Sequence, residues 1–183
     1  LVIALMFVLW VIHLRMGNAS IVDPGWAYGL AIIAVTFALL GPGYFWRKWL
    51  MAAMALAWGL RLGTYLLLRI LGKEEEGRYQ ELRRRWKTGL AWKFLLFFQF
   101  QAALVVLLSL PFLLAALNTV AALSPLEFAG VALWLAALAG ESIADRQLAS
   151  FKRESGSSNL VCQRGLWAYS RHPNYFFEWL VWV

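Results

Sequence analysis

The sequence has few charged residues and almost no cysteine. Only 15% of its 183 residues are charged, and Cys162 is the one cysteine. A single cysteine cannot form an internal disulfide bond, and no CxxC pair or zinc-ligand spacing is present, so a disulfide scaffold is excluded and nothing indicates a metal site. An average soluble domain is about 25% charged. The composition therefore excludes a disordered chain and an ordinary cytosolic enzyme.

Several short motifs of nucleotide-binding and hydrolytic enzymes are also absent. The sequence contains no GxGxxG, no P-loop, no HExxH and no GxSxG. Such motifs position phosphate-binding amides, metal ligands or a nucleophilic serine. Any nucleotide site in this chain is therefore of neither the Rossmann nor the P-loop type.

Apolar residues dominate what is present. They make up 62% of the chain, and a soluble domain of this length cannot hide so much apolar surface. Continuous apolar windows cover about 1–16, 25–46, 49–71, 92–117 and 125–144, and a sixth opens near 174. A helix needs roughly 20 residues to cross a bilayer. We therefore predict an all-α, polytopic transmembrane helical bundle with about six spans.

The length and the chain ends predict how this bundle is organised. A chain of 183 residues fits one domain, so we expect a single integral membrane domain over residues 1–183. The sequence starts and stops inside apolar runs. We expect a fragment that is truncated at both ends, with its sixth span cut short.

The net charge of +7 is explained by membrane topology. If successive windows cross the membrane in turn, 14 of the 17 lysines and arginines fall in loops on one side and two on the other. Cytoplasmic loops of membrane proteins carry such an excess of positive charge. We predict that the basic loops face the cytoplasm, with the lipid bilayer as partner and no nucleic acid. The oligomeric state is not indicated.

The third window carries polar residues that a bilayer disfavours. Arg61 lies midway along it, and Tyr65 and Arg69 follow at helical spacings of four and eight residues. Ionisable groups inside spans usually face a polar cavity. We predict this for Arg61, whereas Arg69 is close enough to the window end to reach the membrane surface.

Other polar residues near window ends have two interpretations. Glu141 and Asp145 share a helix face, and Lys152 lies about two turns beyond. These residues fit either a binding site or a helix end whose charges are paired. Asp23, which precedes a proline, fits a helix cap. His13 fits an interfacial position better than a ligand.

The last segment, RGLWAYSRHPNYFFEW, has the most informative pattern. Pro173 suits the first turn of a helix, which places Asn174 and Glu178 on one face. Basic side chains and a helix N-terminus attract anions. Arg164, Arg171 and His172 crowd this end, so we predict a site for a phosphate-bearing cofactor.

At these residues the chain resembles a known family. SRHPNYFFEW, ESIADRQLASFKR and WGLRLGTYLLLR are similar to segments of the bacterial steroid 5-alpha-reductase-like membrane family, over about residues 23–183. Its relatives include steroid 5-alpha-reductases and sterol C14/C7 reductases. The resemblance implies an enzyme of the bacterial inner membrane, with about seven spans at full length, that transfers hydride from NADPH to a carbon–carbon double bond of a steroid, isoprenoid or fatty lipid.

The resemblance also implies roles for individual residues. The implied cofactor-binding residues, together with the basic Arg164, are Arg61, Asp145, Lys152, Arg171, His172, Asn174, Tyr175 and Glu178. Tyr65 or Tyr28 would polarise the acceptor as an acid near the substrate. Glu141 and Trp58 depart from the steroid enzymes, which carry asparagine and tyrosine there.

Two other functions fit the same sequence. Isoprenylcysteine and phospholipid methyltransferases use a similar RHPxY element to bind S-adenosylmethionine, although they resemble this chain less at Asn174 and Glu178. Alternatively, the polar residues serve helix packing in a transporter or structural subunit. The cluster of basic residues favours NADPH, because that cofactor carries an additional phosphate.

Overall fold

The computed structural model describes residues 1–155 and 160–183, and this part of the chain is all-α. It contains no strand, and two short 3-10 turns accompany the helices. The helices are α1 Val2–Met16, α2 Val22–Leu40, α3 Phe45–Ile70, α4 Gly77–Trp86, α5 Leu90–Leu108, α6 Leu110–Leu117, α7 Pro125–Ser155 and α8 Pro173–Val181. The predicted all-α helical bundle is therefore confirmed.

Four helical stretches in the described part of the chain are long and apolar enough to cross a bilayer. They are Ala19–Leu40, Phe45–Ile70, Leu90–Leu117 and Pro125–Glu154. Helix α1 is apolar but has only 15 residues, and α8 has nine. Both are shorter than the roughly 20 residues that a span requires. The count of six spans stays a prediction.

The chain divides into two compact units, Leu1–Ala122 and Leu123–Val183. In the first unit α2 packs along α3, and α5 contacts both α1 and α2. In the second unit α7 packs against α8 and against the 3-10 turn Gly165–Ala168. The single-domain organisation stays a prediction.

Glycine allows α2 and α3 to approach closely. A Cβ atom added at Gly59 would lie 2.8 Å from the backbone oxygen of Ala27, and one added at Gly63 would lie 2.5 Å from the ring of Tyr28. Small residues at helix crossings drive association in membranes because backbones can come into contact. Large apolar residues such as Leu39 and Leu68 are exposed instead. The outer surface is therefore suited to lipid.

A buried arginine anchors the irregular segment that follows α6. The guanidinium group of Arg47 donates to the backbone oxygens of Val120, at 2.7 Å, and of Ala122. Nearby, the Gly43 amide donates to the oxygen of Ala116 at 2.8 Å. These bonds satisfy carbonyl groups that no helix pairs, which fixes this end of the first unit.

The mixed-charge segment 73–87 contains helix α4, and Arg85 forms an ion pair with Glu81, four residues earlier, at 2.8 Å. One local prediction is confirmed. Pro173 occupies the first turn of α8.

Another local prediction is wrong. Helix α2 begins at Val22, so Asp23 lies inside the helix and does not cap it; its carboxylate binds side chains of α4 instead. The interfacial position of His13 stays a prediction; its side chain is 1% exposed and its ring contacts those of Phe94 and Phe98. Both residues acquired partners from segments more than 50 positions away in the chain.

The contact at Gly59 predicts a steric effect on stability. Gly59→Ala would force the new methyl group against the backbone of α2. We therefore expect a cost at the upper end of the range for overpacking, about 3 kcal/mol. This cost exceeds the gain of about 1 kcal/mol in helix propensity. Thermal unfolding in detergent should therefore show a lower midpoint. Gly130→Ala is the matched control, because nothing lies within 4 Å of its Cβ position. Equal midpoints for the two variants would contradict the packing argument.

Candidate functional site

The first unit contains a carboxylate, that of Asp23, which two side chains of α4 bind. The Tyr79 hydroxyl donates to one Asp23 oxygen at 2.7 Å, and Arg78 forms an ion pair with the other oxygen. Tyr79 is 2% exposed. A charged group at the end of an apolar helix is stable only when it is paired and hydrogen-bonded. Helix α4 supplies both interactions.

The loop before α4 is attached to the turn before α2. One Glu75 oxygen accepts from the Ala19 amide at 2.6 Å, while the carboxylate also pairs with Arg83 at 2.6 Å. The Glu76 amide donates to the Ser20 hydroxyl at 3.0 Å. Together these bonds hold α4 across the ends of the neighbouring helices.

Helix α4 forms one wall of a cavity of about 510 Å³. The cavity lies within the first unit and extends along α3 and α5. Its lining combines apolar and polar side chains: Trp26, Leu62, Leu66, Leu82 and Phe97 are apolar, and Asp23, Arg78, Tyr79 and Gln101 are polar. Small-molecule sites are commonly apolar with a few polar groups, and have volumes of roughly 300–1,000 Å³. This cavity has both properties.

Tyr79 is held in its neutral form. Burial raises the pKa of its phenol well above the ordinary value, and the adjacent Asp23 carboxylate raises it further. Both effects disfavour the phenolate, because the anion would lose hydration and meet a second negative charge. Tyr79 therefore remains a hydrogen-bond donor throughout the physiological pH range.

The second unit contains a polar contact between α7 and α8. The side-chain nitrogen of Asn174 donates to the Asp145 carboxylate at 3.4 Å. The side-chain oxygen of Asn174 is buried and has no hydrogen-bond partner among the described residues. One helical turn from Asp145, Glu141 is 4% exposed. Two of the residues predicted to bind a cofactor thus meet in the folded chain.

The turn before α8 is attached to α7. The Leu166 amide donates to the Gln147 side chain and the Trp167 indole donates to the Ala144 carbonyl, both at 2.9 Å. Arg164 also forms an ion pair with Glu154, so its charge is partly offset. These contacts position the start of α8 beside the polar part of α7.

The remaining predicted residues of α8 lie around its first two turns. The rings of His172 and Tyr175 stack with centroids 5.1 Å apart, and both side chains are exposed. Glu178 accepts from the Trp182 indole at 3.2 Å. Arg171, like Lys152 on α7, is exposed. The cofactor roles of these residues stay predictions.

Three predicted residues belong to α2 and α3 of the first unit. Arg61 is partly buried, Tyr65 is 38% exposed and Tyr28 forms a hydrogen bond with Thr64 at 3.1 Å. None of the three lines the 510 Å³ cavity. The polar-cavity prediction for Arg61 and the acid roles of the two tyrosines therefore have no support from this cavity, and they stay predictions.

Tyr79 was missed because its segment has the composition of a solvated helix. The segment 73–87 is rich in charge, which is typical of a helix that is exposed to solvent on all sides. Tyr79, Leu82 and Trp86 nevertheless recur at spacings of three and four residues, the period of an amphipathic helix. That pattern was the available signal that α4 packs against the bundle.

The apolar helices and their polar end groups define an integral membrane helical-bundle protein. Residues 9–183 match the model of a family described as "Protein of unknown function (DUF1295)". The chain belongs to this family, which is steroid 5-alpha-reductase-like. No curated protein and no solved structure matches the chain. The resemblance is therefore confirmed at the level of the family, and its specific relatives stay predictions.

The raised pKa of Tyr79 predicts a pH-dependent effect of Tyr79→Phe. Near neutral pH the wild type should be more stable by about 2 kcal/mol, the magnitude for a hydrogen bond to a charged group. Above pH 10 the phenol ionises in the unfolded chain but not in the folded one, so the contribution of Tyr79 declines as pH rises. Unfolding midpoints of both proteins from pH 7 to 11 measure this difference.

Tyr169→Phe is the control for that experiment, because Tyr169 is 92% exposed. It should match the wild type at every pH. A difference between wild type and Tyr79→Phe that stays constant above pH 10 would contradict the raised pKa.

Proposed function

We propose that this protein is an integral membrane reductase that uses NADPH to reduce a carbon–carbon double bond of a hydrophobic lipid. Membership of a steroid 5-alpha-reductase-like family supports the reaction class. The observation that carries the cofactor proposal is the buried side-chain oxygen of Asn174, which has no hydrogen-bond partner in residues 1–155 and 160–183.

The amide of Asn174 has one orientation beside Asp145. A carboxylate only accepts hydrogen bonds, so the amide nitrogen must face it and the oxygen faces away as an acceptor. A buried acceptor without a partner costs about 1–3 kcal/mol. A ligand that donates an N–H or O–H group recovers this free energy, and NADPH offers a carboxamide and ribose hydroxyls. Asn174 and Asp145 therefore fit the hydrogen-bond donors of NADPH.

The charges around the start of α8 fit the phosphates. The N-terminus of a helix attracts anions, and α8 begins directly after Arg171 and His172. Lys152 adds a further exposed cation of the second unit. Arg164 contributes less in this scheme, because Glu154 offsets its charge.

The residues of the chain then have distinct tasks. When bound, NADPH supplies the hydride. Asp145 orients Asn174, and Asn174 accepts a hydrogen bond from the cofactor. Arg171 and Lys152 balance phosphate charge, and the His172 ring can donate a hydrogen bond to a phosphate oxygen.

Asn174→Leu tests the central contact. This change keeps the volume but removes the acceptor, and we expect NADPH to bind about tenfold more weakly, since the lost interaction is of order 1.4 kcal/mol. Calorimetric titration of the purified protein in detergent measures the dissociation constant. Gln163→Ala is the control, because Gln163 is exposed. Binding of S-adenosylmethionine without NADPH, or of neither, would overturn the proposal.

Arg171→Gln and Arg164→Gln test the source of phosphate selectivity. We expect Arg171→Gln to lower the preference for NADPH over NADH by about 2- to 5-fold, a small factor because the side chain is exposed. The change at Arg164 should be smaller, since Glu154 already offsets that charge. Parallel titrations with both nucleotides at low salt measure the ratio. A larger effect at Arg164 would contradict this assignment.

A further inference from the structure

The 510 Å³ cavity of the first unit has no role in the proposed cofactor site. None of the residues assigned to NADPH in the second unit lines it. Trp26, Leu62, Leu66 and Phe97 provide an apolar surface along the cavity. Its polar groups come from the start of α2, from α4 and from Gln101 of α5. The cavity is therefore amphipathic.

The charges at its polar end cancel. Asp23 is paired with Arg78, whose guanidinium also lies 3.4 Å from Glu76. Glu76 in turn pairs with Arg69 at 2.8 Å. The two carboxylates and two guanidiniums sum to zero charge. A charged headgroup would find each counter-charge already engaged, so this end offers it no net attraction.

Gln101 offers the hydrogen bonds that an uncharged headgroup needs. Its side chain lines the cavity and makes no hydrogen bond within residues 1–155 and 160–183. An amide can donate to a carbonyl oxygen and can accept from a hydroxyl. The Tyr79 hydroxyl cannot donate to a headgroup, because its single O–H already donates to Asp23.

We propose that this cavity is a binding site for an amphipathic lipid with an uncharged hydroxyl or carbonyl headgroup. The headgroup binds Gln101, and the chain packs against Trp26, Leu62, Leu66 and Phe97. That this lipid is the molecule that becomes reduced rests on the proposed function; the binding site itself does not.

Two probes with the same apolar tail test the headgroup. Tritiated farnesol and tritiated farnesyl phosphate have the same apolar chain. The headgroup of the first is a neutral hydroxyl, and that of the second is an anionic phosphate. We expect saturable farnesol binding to the full chain in detergent, and at least tenfold weaker binding of farnesyl phosphate. Tighter binding of the phosphate would overturn the proposal.

Filling the cavity tests the location. Leu66→Trp should reduce farnesol affinity at least tenfold, because the larger side chain occupies the cavity. Leu68→Trp on the same helix is the matched control, since Leu68 is 65% exposed and does not line the cavity. Leu62→Phe provides a second, smaller filling if Leu66→Trp does not fold. Wild-type affinity in a folded filled variant would overturn the proposal.

Gln101→Leu tests the headgroup contact. Farnesol affinity should fall about five- to tenfold, while the affinity for the corresponding triene hydrocarbon, which lacks only the hydroxyl, should not fall. An equal loss for both probes would show that Gln101 acts only on cavity shape, which contradicts the assignment.

NADPH titrations of the same variants separate this proposal from the proposed function. Leu66→Trp should retain NADPH binding. Cavity-dependent farnesol binding without NADPH binding would refute the reductase and leave the lipid site intact. NADPH binding without saturable farnesol binding would refute the lipid site alone.

Discussion

The ion pair and hydrogen bond at Asp23 are the interactions on which the organisation of the first unit depends. A carboxylate in the first turn of an apolar helix must be neutralised, because its desolvation would otherwise be costly. Arg78 and Tyr79 meet this requirement and thereby bring α4 against the bundle. The resulting wall lines one side of the cavity. One partly buried charge thus connects helix ends, an amphipathic helix and a candidate ligand site.

In the second unit, Asp145 directs a polar group in the same way. Because a carboxylate accepts hydrogen bonds and cannot donate them, it determines which end of the Asn174 amide faces inward. The buried oxygen that results is an acceptor without a partner among the described residues. In both units, then, an acidic residue on one helix determines the hydrogen-bonding character of a side chain on another helix.

Features that depend on local sequence could be predicted. Continuous apolar windows correspond to α2, α3, α5 with α6, and α7, because a bilayer requires each segment to satisfy its own backbone hydrogen bonds. The ion pair of Glu81 with Arg85 and the position of Pro173 depend on neighbours within one helical turn. The candidate residues Asp145 and Asn174 were also identified, through resemblance and helical spacing.

Features that depend on distant partners could not be predicted. Asp23 was assigned as a cap because it precedes a proline near the start of a window, yet Arg78 and Tyr79 of α4 bind its carboxylate. The packing of His13 against Phe94 and Phe98 was likewise absent from the local pattern. In both cases the deciding contact came from another helix.

The sequence by itself determined that this chain is helical and apolar. Those properties follow from the composition and from the length of the continuous apolar windows, and neither depends on how the helices pack. Only the tertiary structure decided which polar groups meet: Asp23 with Tyr79, and Asp145 with Asn174. The reason is that a hydrogen bond requires two atoms within about 3 Å, and for residues 56 or 29 positions apart that distance depends on how the helices pack.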